Sequence, residues 1–189
     1  CIEERKKKVE KAKDKIDTCD NIKQKDNLEK SSIRLTKNMI DDVKNLLKLL
    51  GISYIHKDIG EGEAIASELC RIGYVDYVLT EDMDSLVYGC PNLIRNCLDK
   101  SLKRKDIISI INYEEMIKGL DLNNEKFIKF CILCGCDYCP NVPKVGNTTA
   151  LKMIKKYNNL EDIIENYKDN YNFPDNYKDL FNKSYEIII

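Results

Sequence analysis

Tyr74-Val75-Asp76-Tyr77-Val78-Leu79-Thr80-Glu81-Asp82-Met83-Asp84 is the stretch on which the reading of this chain turns. Tyr74 to Thr80, rich in Val, Tyr and Leu, predicts a β-strand, and the acidic cluster follows at its carboxyl end. Just upstream, Glu61 to Ile72 predicts a helix. Ala64, Ile65, Ser67 and Leu69 suit packing on a sheet, and Gly73 is its stop. Downstream, Asn92 to Leu98 and Ile107 to Ile111 read as two further short strands. Strand, helix and strand in this order imply βαβ units. The expected fold class is therefore α/β, a mainly parallel sheet flanked by helices. Ligand sites in such sheets lie beyond the carboxyl ends of the strands, where Glu81, Asp82 and Asp84 fall.

The remaining chain supplies the flanking helices. Thr36 begins one with Met39, Ile40, Val43, Leu46, Leu47 and Leu50 at helical spacing, and Gly51 ends it. Ile52-Ser53-Tyr54-Ile55 reads as a short strand, and His56, the only histidine, carries no assigned role. Tyr113 to Leu120, Asn124 to Cys134, Asn147 to Tyr157 and Leu160 to Tyr167 predict helices. The tail from Asn170 reads as polar, and Ile187-Ile188-Ile189 is exposed unless something packs on it. Residues 3–30 predict a charged helix or helical hairpin with no continuous apolar stripe.

At 189 residues, with 43% hydrophobic and 33% charged residues, the chain can bury a core of its own. No apolar run approaches the roughly 20 residues of a membrane-spanning helix, and no signal-peptide pattern opens the sequence. An intracellular setting is the expectation. Net charge is −1, which excludes a polycation. Yet residues 5–15 concentrate Arg5, Lys6, Lys7, Lys8, Lys11, Lys13 and Lys15 against only Glu10 and Asp14. That block is either a solvated helix face or a segment facing phosphates. The nine cysteines are expected to be reduced thiols. Cys131, Cys134, Cys136 and Cys139 invite a zinc or iron–sulfur reading. The first two lie inside an apolar helical run, however, which favours packing.

Glu61 with Glu63, and Asp82 with Asp84, are each i, i+2 pairs, and Asp137 follows the Asn124–Cys134 helix. At a strand end, i and i+2 point the same way, so Asp82 and Asp84 can converge with Glu81 turned aside. Carboxylates gathered in a poorly solvated cleft repel one another unless a cation neutralises them. Oxygen-only donors suit Mg²⁺, and two such ions can serve phosphodiester hydrolysis. The plainer alternative is helix capping by Glu61 and Glu63, with the other acids facing solvent separately.

Glu61-Gly62-Glu63-Ala64, Thr80-Glu81-Asp82-Met83-Asp84-Ser85-Leu86 and Cys131-Ile132-Leu133-Cys134-Gly135-Cys136-Asp137-Tyr138 together resemble the flap endonuclease and related 5′-nuclease family, to which the XPG-type nucleases belong. The resemblance runs from about residue 3 to about residue 185. It implies a PIN-like 5′-nuclease core at 31–125, a partial helical cap at 1–30, a helix–two-turn–helix region at 126–170 and a C-terminal segment at 171–189, cut short as the N-terminus is. It implies that Glu61, Glu63, Asp82, Asp84 and Asp137 are catalytic, holding two Mg²⁺ ions that Mn²⁺ can replace. It further implies DNA contacts at Lys6, Lys7 and Lys8 in the cap and at Lys144, Gly146 and Thr148 in the turn, with K⁺ bound there. The implied activity is a structure-specific 5′-flap endonuclease and 5′–3′ exonuclease of DNA replication and repair, nuclear in a eukaryote. Its implied substrate is DNA with a 5′ flap or a single-strand/double-strand junction, and its implied partner, for the full-length protein, a sliding clamp. A DNA-binding module without cleavage and an exonuclease-branch relative are the alternatives.

Two departures from the family stand out. The family's Gly-x-Gly turn reads Lys144-Val145-Gly146, with a Cβ at the first position. Asn147, Thr148 and Thr149 stand where relatives carry bases, although Lys152, Lys155 and Lys156 lie nearby.

Overall fold

The computed structural model describes residues 7, 9–11, 14, 15, 22–95 and 108–189. The chain divides into two compact units, Cys1–Asp58 and Ile59–Ile189. In the first, α1 (Ile22–Ser32) precedes α2 (Lys37–Leu49). Thr36 caps α2 by accepting the Met39 amide at 3.3 Å, and Gly51, at φ 69°, follows its end. The apolar residues of α2 bury none of their number, and Met39, Val43, Leu46 and Leu49 stand exposed. Lys7 is helical and exposed; Lys6 and Lys8 lie outside the described residues.

The second unit holds the sheet. β1 (Val78–Leu79) pairs in parallel with β2 (Asn92–Arg95), and β2 pairs antiparallel with β3 (Ser109–Asn112). Around it lie α3 (Gly62–Arg71), α4 (Asp84–Val87), α5 (Tyr113–Leu120) and α6 (Asn124–Cys134). Then come α7 (Asn147–Lys156), α8 (Leu160–Tyr167) and α9 (Tyr177–Ile188). Local chemistry sets the helix starts. Asn112, Asn123 and Asn159 accept the amides of Glu115, Lys126 and Asp162 at 2.8–3.0 Å, so a side chain satisfies a free donor at the start of α5, α6 and α8. Among the described residues, no helix is long and apolar enough to cross a membrane.

α6 serves two cores. Its Phe127 packs with Cys70, Val78, Leu86, Cys90 and Leu93 beneath the sheet. Its Ile128, Ile132 and Leu133 pack with Val142, Met153, Ile163, Tyr177 and Phe181 from the elements that follow. Each fully buried Leu or Ile here contributes about 1.5–3 kcal/mol.

Several expectations are corrected. The α/β class holds, but among the described residues the sheet is mixed, with strand order β1-β2-β3. A parallel return needs a crossover, usually a helix, and the residues between β2 and β3 carry no apolar helical period. Ile52–Ile55 joins no ladder among the described residues; an alternating apolar stretch is a strand only where a neighbour pairs with it. The strand foreseen from Tyr74 shrinks to Val78–Leu79, because Tyr74–Asp76 forms a bend behind Gly73, which sits at φ 75°. The tail is not merely polar. Tyr177, Phe181 and Ser184 are buried on α9 and Ile188 packs against the core, a helical spacing present in the sequence; Ile187 and Ile189 stay exposed.

Two backbone positions shape the loop between α6 and α7. Gly135 has φ 101°, and a Cβ there would sit 2.9 Å from Asn141 Cβ and 3.0 Å from its amide nitrogen. Lys144 holds φ 68°, the left-handed conformation that glycine takes without strain. Gly135→Ala is therefore expected to destabilise the chain by about 2 kcal/mol or more, and Lys144→Gly to stabilise it by about 0.5–1 kcal/mol, both read from denaturant midpoints. A Lys144→Gly variant no more stable than the parent contradicts the strain assignment.

Candidate functional site

Three segments of the second unit carry the acids. Glu61 is the residue before α3, with extended backbone at φ −88° and ψ 136°, and its side chain caps nothing on that helix. Instead its Oε1 accepts the Tyr138 hydroxyl at 3.1 Å. Glu63 lies in the first turn of α3. Thr80 Oγ1 accepts the Asp82 amide at 3.1 Å, and Asp82 Oδ1 accepts the Asp84 amide at 3.0 Å. These bonds fold the chain from β1 into α4, whose first residue is Asp84. Asp82 and Asp84 thus meet in a turn rather than at a strand end, because β1 stops at Leu79. Glu81 is turned aside. Its Oε2 stands 3.8 Å from Arg95 Nε on β2, and its carbonyl accepts from the same guanidinium at 2.9 Å.

Asp137 sits in the loop after α6. Cys136 and Cys139 exchange backbone bonds of 2.8 and 3.3 Å across it. Asp84, Asp137, Cys134, Gly135, Cys136 and Asn141 line an open cleft of about 490 Å³. The buried Ser67 braces α3 against α4, its hydroxyl lying 2.6 Å from the Glu63 carbonyl and 3.1 Å from that of Ser85.

The electrostatics converge on Asp84. Loss of solvent pushes its carboxyl above the usual aspartate range, followed by the charges of Asp82, Asp137, Glu63 and Glu61 in that order. Asp84 still keeps an exposed face, so the crowding is that of an open cleft. Among the described residues, no three carboxylate, thiol or imidazole groups stand close enough to share one ion. The donor set nonetheless fits a divalent cation: it is all oxygen, and Mg²⁺ keeps several waters and needs only one or two direct carboxylates. The negative charge crowding Asp84 is what such an ion relieves.

Among the described residues, the cysteine motif brings no three metal-capable groups together. Burial pushes the thiols of Cys131 to about 12 and of Cys134 and Cys139 to about 11, so they stay protonated at neutral pH. Cys139 is wholly buried and packs in the core. Lys144, Gly146 and Thr148 are exposed at the turn into α7, and a Cβ on Gly146, the residue before that helix, would meet nothing within 4 Å. Two tyrosines were given no role from the sequence. Tyr138 directly follows Asp137 in the loop, and Tyr88 lies four residues after Asp84, a spacing that puts it on the same helical face. The Tyr88 hydroxyl stands near that of Tyr138.

The chain is similar to known proteins. The XPG I-region family matches residues 51–137. Flap endonuclease 1 of Lodderomyces elongisporus is 39% identical over 168 residues, which are 89% of this chain and 42% of that protein. Flap endonuclease 1-A of Sorghum bicolor is 38% identical over 148 residues, 78% of this chain and 38% of that protein. Among solved structures, flap endonuclease-1 from Methanococcus jannaschii superposes with a TM-score of 0.59 at 25% identity, covering 90% of this chain and 66% of that one. The catalytic core of Rad2 in complex with DNA substrate gives 0.63 at 27% identity, covering 82% and 51%. The chain spans about two fifths of the length of the flap endonucleases it matches.

Because the folded chain raises the Asp84 pKa, the ionised form opposes folding. The associated stability is present below the unfolded aspartate pKa and is lost as pH rises through the folded one. At neutral pH and in chelator, Asp84→Asn is expected to raise the melting temperature slightly, the gain being small because the group is open to solvent. Added divalent cation should stabilise the parent more than the variant. An Asp84→Asn variant that melts below the parent in chelator contradicts the crowding.

Proposed function

Since the chain belongs to the flap endonuclease and XPG-type nuclease family, we propose that it carries most of the acidic site of a structure-specific 5′-nuclease. The enzyme hydrolyses phosphodiesters in DNA bearing a 5′ flap or a single-strand/double-strand junction, in replication and repair. The observation that carries this reading is the convergence of the Asp82, Asp137, Glu63 and Glu61 charges on Asp84.

In this reading Glu61, Glu63, Asp82, Asp84 and Asp137 hold two divalent ions, Mg²⁺ or Mn²⁺, directly or through water. When bound, those ions neutralise the phosphate and acidify a water molecule. The chain's own residues do the positioning. Thr80 and Asp82 fix the turn that presents Asp84, Arg95 keeps Glu81 out of the cluster, and Gly135 lets the Asp137 loop double back.

The same reading gives α6, its loop and α7 the role of a helix–two-turn–helix element within residues 126–170. The amides after Gly146, with Thr148 and Lys144, face duplex phosphates there, and K⁺ is held at the turn. Residues 1–30, with Lys6, Lys7 and Lys8, contact the single strand; 31–125 is the nuclease core and 171–189 the segment beyond. A sliding clamp is the proposed partner of the full-length protein, and the nucleus its place in a eukaryote. A second reading, DNA binding without cleavage by this stretch alone, draws on the absence, among the described residues, of three ligands poised on one ion.

The full-length protein is expected to cut a 5′-flap duplex in Mg²⁺ and not in chelator, and Asp84→Ala is expected to slow cutting by about 100-fold or more, since even outer-shell changes at metal sites cost 10–100-fold. DNA affinity should fall steeply with salt in both proteins. Equal cutting rates for parent and variant rule the site out.

A further inference from the structure

The three acid-bearing segments are joined by a pair of tyrosines that no metal role accounts for. Tyr138 follows Asp137 in the loop after α6, and its hydroxyl donates to Glu61 Oε1 at 3.1 Å, across 77 positions of sequence. Tyr88 closes α4, the helix that Asp84 opens, and its amide donates to the Asp84 carbonyl at 3.2 Å. Its hydroxyl stands near that of Tyr138. The Tyr138–Glu61 bond ties the Asp137 loop to the start of α3, and Tyr88 sets the end of the Asp84 helix beside it.

We propose that Tyr88 and Tyr138 are positioning residues that fix the Glu61 carboxylate relative to Asp84 and Asp137, so that the acids stand preorganised for a divalent cation. The inference rests on the metal-site reading given above. Glu61 forms no cap on its own helix, so the tyrosine bond is what orients its side chain. A phenol suits the task because it is a neutral donor. A lysine or arginine in its place would compete with the cation for the carboxylates, and a carboxylate would add to the repulsion. The bond engages one carboxylate oxygen and leaves the other to face an ion. An outer-shell hydrogen bond of this kind sets the direction and basicity of a ligand.

The test titrates the full-length protein with Mn²⁺, following free ion by electron paramagnetic resonance, alongside thermal melting in chelator. Tyr138→Phe is expected to weaken Mn²⁺ binding by about 10-fold, the lower end of outer-shell effects, with a melting temperature within about 2 °C of the parent. Tyr88→Phe is expected to weaken it less. The double variant should bind no more weakly than Tyr138→Phe alone, because Tyr88 acts through Tyr138. Unchanged Mn²⁺ affinity in Tyr138→Phe overturns the proposal. So does a fall in melting temperature matching the loss of affinity, which marks a purely structural role, and so does an additive double variant. A parent protein that binds no Mn²⁺ overturns the metal-site reading itself, and this inference with it.

Discussion

Mutual repulsion among carboxylates is the constraint around which this chain is built. Glu61, Glu63, Asp82 and Asp137 all act on Asp84, and they arrive from three separate segments. A chain free to move would let such charges drift apart into water. They stay within reach because each segment is anchored by something other than charge. Ser67 ties α3 to α4, paired backbone bonds close the Cys136–Cys139 loop, and the amide bonds of Thr80 and Asp82 fold the turn before Asp84.

Those anchors rest on apolar packing. Cys70 and Leu86 hold α3 and α4 against β1 and β2, while Val142 and Val145 pull the far side of the Asp137 loop into the second core. The cysteines of this region belong to that packing. Nine thiols in one chain invite a metal, yet burial raises those of Cys131, Cys134 and Cys139. Asp84 and Asp137 face the cleft, where Cys134 and Cys136 also line it, while Cys139 fills the core behind.

Much of this was legible in the residues. The helix boundaries followed from Thr36 and from the stops at Gly51 and Gly73, each of which takes a positive φ. The acids were legible as pairs, and their convergence followed from their place after β1 and α6. Other features were not. The direction in which β3 returns depends on a connection whose sequence has no strong period. Ile52–Ile55 has the composition of a strand, but pairing is a property of two segments. The helix α9 has helical spacing in Tyr177, Phe181 and Ser184, but its polar neighbours masked it. The Tyr138–Glu61 bond spans 77 positions, beyond the reach of any local pattern.

The double duty of α6 bears on how the second unit comes apart. A helix whose opposite faces serve different cores cannot fray away from one while still supporting the other. The two cores are then coupled halves of a single cooperative transition, and backbone amides along Phe127–Leu133 exchange with solvent only when the whole unit opens. Loops at the cleft can fluctuate locally without reaching them, so motion at the acids and integrity of the fold are governed on separate timescales.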